Sequence, residues 1–413
     1  MSFFTRYKNI LIVIAFVFII FVLGFALYSM FFKTSPLTPS EQENNSATTT
    51  GSLPNADNGP SGQIVPENTT DSDQINNEID RTKIDQVASG GITQATEITT
   101  APSLGTTMGG NGSDLQYYNK EDGKFYRIDE KGEATTISSK VFHEVQNVVW
   151  SPNKNKAILE YPDGAKIIYD FDSDKQVTLP SHWKDFSYSP DGNQLVLKSI
   201  GQDENNRWLA IVNEDGTNVR GLEPLGDKDD SVYAAWSPNN QIVSMFTEGK
   251  NLDSQEVFFV GMNNENFKST IIEGRGFQPQ WAPDGGKLLY SVYSTETALK
   301  PSLWIVDAGG DNIGEERKNL NVPTWADKCT FASATDLYCA VPEKLAEGSG
   351  LFPEIAKNTI DSLYKIDIVT GNKKLMAVPN GDYTISNILI SEDKKNLYFT
   401  NQSDSKLYKV RLK

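Results

Sequence analysis

The chain has 413 residues, with 54 acids against 38 bases for a net charge of −16, and only two cysteines and two histidines. The acid excess excludes a nucleic-acid partner, because phosphate binding needs clustered Lys and Arg. The few thiols and imidazoles fit no ligand spacing, so the sequence offers no metal site of His and Cys and calls for no cofactor.

Arg6 and Lys8 precede an uncharged, almost wholly apolar run from Ile10 to Phe32. As a helix this run reaches ~34 Å, enough to cross a hydrocarbon core of ~30 Å. It is longer than the ~7–15-residue core of a signal peptide. Residues 1–33 are therefore read as a cytoplasmic tip and an uncleaved signal anchor, a cleaved signal being the alternative. The flanking bases place the N-terminus in the cytoplasm and everything after the anchor outside it. Residues 34–91 are rich in Ser, Thr, Asn, Pro, Gly and acids and lack apolar periodicity, which predicts a disordered tether.

Residues 92–413 read as strands throughout, and they repeat. An aromatic or apolar residue, a tight turn and an aliphatic run recur from Met108, Trp150, Tyr188, Trp236, Trp281, Phe331 and Ile390. The plainest turn is Ser189-Pro190-Asp191-Gly192; Ser151-Pro152-Asn153, Ser237-Pro238-Asn239 and Ala282-Pro283-Asp284-Gly285 are its relatives. Pro presets φ, Asp and Ser bond nearby backbone, and Gly accepts positive φ. A second hairpin follows each first one, as in KIIYDFDSDKQVTL and LYKIDIVTGNKKLM. Two hairpins in about 45 residues make a four-stranded propeller blade. The fold class is thus all-β, a seven-bladed β-propeller, with six or eight blades as alternatives. The last unit holds only three strands, and the stretch 92–99 is expected to supply its fourth.

On these turns, residues 92–413 resemble the TolB-like and WD-repeat-like β-propeller repeats of bacterial envelope proteins. The resemblance implies a binding platform for envelope or cell-surface partners. The Trp-Asp ends of true WD repeats are absent.

Cys329 and Cys339 lie symmetrically about the turn between Phe331 and Leu337, so an antiparallel hairpin sets them directly opposite each other. A structural disulfide is expected outside the cytoplasm, with buried reduced thiols as the alternative. Asp170, Asp172 and Asp174 have the spacing of a calcium loop but lack its Gly and its closing acid, and are read as a solvated turn. There is no Gly-x-Ser-x-Gly elbow, so no catalytic residue is assigned.

In propellers of this kind, the links between blades share one face with the loops joining second to third strands. That face gives the candidate binding residues His182, Trp183, Asp185, Asp229, Asp230, Arg275 and Phe277, together with Leu351 and Phe352 in the long excursion 342–361. Part of the excursion is expected to be helical, with Leu351, Ile355 and Thr359 on one side. The expected partner is a protein of the envelope or cell surface, or a glycan. The competing class is an enzyme acting on glycans through carboxylates in the propeller channel.

Overall fold

The computed structural model describes residues 22–23, 83–263, 265 and 267–413. Apart from Val22 and Leu23, the predicted anchor lies outside the described residues, as does the tether up to residue 82.

Seven sheets form the propeller. Blades 1 to 5 are four-stranded and occupy residues 103–136, 147–179, 183–224, 232–273 and 275–319. Blade 6 (residues 329–379) and blade 7 (residues 385–411) each recruit a strand from the N-terminal end. Within each blade the chain runs outward, each strand antiparallel to the last.

The strand sequences follow from their radial place. Second and third strands are covered on both faces by neighbouring blades, so they read as unbroken apolar runs rather than alternating ones. Leu195, Val196 and Leu197 are all buried, as are Leu209 to Val212 opposite them. Fourth strands face solvent and are polar: Ala134–Thr136 is exposed at every residue. Between blades lie separate apolar clusters, such as Phe277, Leu288, Tyr290 and Met245 between blades 4 and 5.

The recurring turn closes the first hairpin of a blade, and its fourth residue is left-handed. Lys154, Gly192, Asn240, Gly285 and Lys394 all have positive φ, and each donates its N–H to the carbonyl three residues back. In blade 3 the Ser189 hydroxyl donates to Asp191 at 2.6 Å. That bond, with the Asn193 N–H behind it, holds the Asp191 carboxyl below the usual carboxylate range.

The ring closes as the sequence predicts. Ala95–Glu97 pairs antiparallel with Leu407–Arg411 and completes blade 7. Ile92–Thr93 adds something not foreseen: it runs parallel to Lys373–Pro379 as a fifth, outermost strand of blade 6. Six consecutive residues therefore step from one blade to the next. The Asn380 side chain, which accepts from the Ala95 N–H at 2.8 Å, fastens the step.

In blade 6, Cys329 stands opposite Cys339 with Cα atoms 4.0 Å apart, and a disulfide joins them. It staples the innermost hairpin of the blade next to the seam.

Two outcomes are expected. A chain beginning at Thr100 should melt at least about 3 °C below one beginning at Lys83, since each kcal/mol lost moves a domain of more than 300 residues by about 1–2 °C; equal melting curves would remove the closing role of residues 92–97. Unreduced protein should show no free thiol by mass spectrometry, and Cys329→Ser with Cys339→Ser should cost about 2–3 kcal/mol in denaturant unfolding.

Candidate functional site

The loops joining second to third strands meet one another along one face. Asp253, in the blade 4 loop, accepts from the Thr295 N–H and hydroxyl of the blade 5 loop, both at 2.7 Å. Gly348 and Gly350, in the blade 6 excursion, donate to the Ala298 and Leu299 carbonyls of that same blade 5 loop at 3.0 and 2.7 Å. The first-hairpin turns make a separate set of contacts, such as Asn239 Nδ2 to the Gly285 carbonyl at 2.9 Å.

The first group of predicted residues comes together through cations. Lys198 Nζ lies 2.7 Å from an Asp185 oxygen and 2.7 Å from the Asp229 carbonyl. Lys184 Nζ donates to the Asp229 carboxylate at 2.9 Å. That hydrogen bond holds Asp229 below its ordinary range and raises Lys184. Asp185 and Asp229 are thus neutralised structural charges that pin the link between blades 3 and 4. His182 and Asp230 are exposed beside them, and the His182 ring stands edge-on to Trp183 at 6.4 Å. Arg275 is half-buried and donates to the Asn251 carbonyl at 3.0 Å.

Two predicted residues need correction. Trp183 and Phe277 are buried, each in the apolar cluster between its blade and a neighbour. Each sits in an innermost strand where alternation turns it toward a neighbouring blade, so neither presents a surface to a partner. The expected helix in the excursion is also corrected. Only the single 3₁₀ turn Pro353–Ala356 forms, because Gly348 is left-handed, Gly350 follows, and Pro353 stops a helix from extending back through Phe352.

What the excursion does instead is expose apolar surface. Leu351, Phe352 and Ile355 are 41, 54 and 52 % exposed within five residues. Leu252, in the blade 4 loop of the same rim, is 81 % exposed. Ser349 and Ala356 are buried beneath and hold the excursion down.

Under the excursion lies the most desolvated ion pair of the face. Lys328 Nζ is 2.8 and 2.7 Å from the two Asp361 oxygens; Asp361 is wholly buried and also accepts from the Ile385 N–H at 2.6 Å. Burial pushes the Asp361 carboxyl up, with Lys328 opposing. Neighbouring Asp327 touches water, yet the protein crowded around it raises its carboxyl too. Trp325, Asp327, Lys328, Pro353 and Gln402 line a cavity of about 150 Å³ here. The pair ties together the link entering blade 6, the end of the excursion and the first strand of blade 7. Sequence reasoning missed Lys328, Asp361 and Leu252. The pair spans 33 positions, and the one available signal was that the excursion ends on an acid.

The channel itself is poor in acids. The seven innermost strands read SLGTTM, NVVW, WKDFSY, VYA, RGFQPQW, CTF and ISNILI, and the one carboxylate among them is Asp185. The Asp170, Asp172 and Asp174 carboxylates bond to different partners. Asp170 accepts from the Asp172 and Ser173 N–H groups, Asp172 from Asn155, and Asp174 from Tyr169.

Comparison with known proteins adds the fold. No family model matches the chain, and no curated protein matches its sequence. Solved β-propellers do match in structure. An oligogalacturonate lyase in complex with manganese is 13% identical with a TM-score of 0.51, over 77% of this chain and 93% of that one. The Vibrio parahaemolyticus oligogalacturonate lyase is 10% identical with the same TM-score and the same two coverages. The Swd1 β-propeller domain of Myceliophteria thermophila is 11% identical with a TM-score of 0.52, over 77% of this chain and 100% of that one. The chain is thus a seven-bladed β-propeller, similar in fold both to a lyase and to a WD-repeat-like domain.

Removing one partner of the buried pair leaves the other uncompensated. Asp361→Asn should destabilise the protein by about 3–5 kcal/mol, whereas Lys328→Met with Asp361→Leu should be close to neutral or stabilising. Urea unfolding of the two variants checks this; an Asp361→Asn effect below 1 kcal/mol would mean the charges are solvated.

Proposed function

We propose that the chain is a membrane-anchored, extracytoplasmic propeller that acts as a binding platform for a protein partner at the envelope or cell surface. The observation that carries this is the exposed apolar set Leu351, Phe352 and Ile355, with Leu252 on the same rim. Soluble surfaces scatter such residues singly, and a cluster of them on a loop held by buried anchors is what a docking partner covers. The acidic net charge of the chain supplies solubility and selects against acidic partners. The TolB-like resemblance agrees with this role, and so does the predicted anchor.

The competing reading, an enzyme using channel carboxylates, is supported by the likeness to oligogalacturonate lyase in fold alone. It is disfavoured by innermost strands that carry a single acid, itself paired with Lys198.

Crosslinking and recovery from intact cells, with the anchor retained, tests the platform. A protein partner should be recovered with the wild type and lost with Leu351→Asp, Phe352→Asp and Ile355→Asp combined, the variant keeping its circular dichroism. Recovery of no protein partner, with the isolated propeller turning over a substrate, would overturn the proposal.

A further inference from the structure

On the opposite face, between blades 1 and 2, lies a cleft of about 510 Å³. Its walls come from the first-hairpin turns of both blades, the third and fourth strands of blade 1 and the second-hairpin turn of blade 2. Two cations line it, Arg127 and Lys154. Neither forms an ion pair within 4.0 Å among the described residues. Two nearby or equivalent lysines differ in this. Lys156, two residues on, pairs with Glu214 at 2.8 Å. Lys394, at the position equivalent to Lys154 in blade 7, pairs with Asp336 at 3.8 Å.

The backbone adds a second observation. Lys154 takes the left-handed position that Gly192 and Gly285 fill in sister turns, with φ of 60°. Asn240 and Lys394 fill it in two other turns, and a side chain there costs on the order of 1 kcal/mol. The third observation is Gln116, which is almost wholly buried. With its amide oriented to satisfy both neighbours, it donates to the Lys154 carbonyl at 3.1 Å and accepts from the Arg127 guanidinium at 3.2 Å. One buried amide thus fixes both cationic residues relative to each other. Burial also lowers the pKa of the Lys154 ammonium, with no carboxylate to oppose it.

The remaining lining is polar, apart from Ile137 and the flat ring of Phe171, which stacks on Trp150 at 5.3 Å. Asp172 stands in the wall, bonded to Asn155 at 3.1 Å, and opposes any densely charged polyanion. We infer that this cleft binds a sugar bearing one acidic group, its carboxylate or phosphate held between Arg127 and Lys154 and its ring against Phe171. The volume suits one or two sugar residues, and Arg supplies the bidentate geometry both acids share. The inference is independent of the protein-docking rim on the other face.

Calorimetric titration of the full-length chain in detergent tests it, with glucuronate, glucose 6-phosphate, glucose and inorganic phosphate as probes. At least one acidic sugar should bind while glucose does not; glucuronate alone would assign the site to carboxylates, glucose 6-phosphate alone to phosphates. Arg127→Met should weaken that binding about tenfold or more, the loss of one charge-assisted contact. Lys154→Gly should weaken it similarly while raising the melting temperature, because Gly relieves the left-handed turn. A merely structural lysine would give the second effect without the first. Binding of inorganic phosphate as tight as either acidic sugar would overturn the sugar assignment. Absence of binding by both acidic sugars, or binding by both variants as tight as by the wild type, would overturn the site.

Discussion

A β-sheet leaves unpaired backbone groups at its edges, and a propeller relieves this only when the last blade is complete. Here the C-terminal strand Leu407–Arg411 would expose such an edge, and Ala95–Glu97 covers it. Every other feature rests on that closure. It fixes blade 7 beside blade 1, where the Asn387 amide reaches the Thr106 carbonyl at 3.0 Å and the Ser103 N–H reaches the Ser405 carbonyl at 2.7 Å. It also places the first strand of blade 7 where Ile385 can satisfy Asp361. The parallel strand Ile92–Thr93 doubles the fastening, because pulling the N-terminal segment away would open blades 6 and 7 together. The disulfide stiffens the innermost hairpin of blade 6, beside the same seam.

The order of the blades was legible because each turn carries its own chemistry at a fixed place in the repeat. Ser189, Asp191 and Gly192 act within five residues of one another, so their spacing alone encodes the hairpin. The same locality made the register of Cys329 against Cys339 readable from index arithmetic. Trp183 and Phe277 were misplaced because the repeat marks the turns sharply but not where a link between blades ends and the innermost strand begins. Ile92–Thr93 went unseen for a related reason: a two-residue parallel strand has no periodicity to read.

The functional surfaces were less legible, since they form between residues that are far apart in sequence. Lys328 and Asp361 meet across a loop, and Arg127 and Lys154 meet across two blades through the buried Gln116. A chain scan sees five ordinary charged or polar residues there. Leu351, Phe352 and Ile355 could be picked out beforehand, because an excursion from a regular repeat is visible as an irregularity in length.

The distribution of charge along the radius separates the two faces from the channel. Innermost strands offer Ser, Thr, Asn and Gln toward the centre, and several bond across to adjacent blades: Gln280 to the Cys329 carbonyl and Asn387 to the Thr106 carbonyl. Side chains so used hold the ring together, and they lack the titratable groups that general acid–base chemistry needs near neutral pH. Asp361, at the start of the third strand of blade 6, accepts from Lys328 and from the Ile385 N–H, and these bonds support the excursion from beneath. The docking proposed for the rim would use that support as it stands, because a rigid base lowers the entropy lost when exposed apolar side chains are covered.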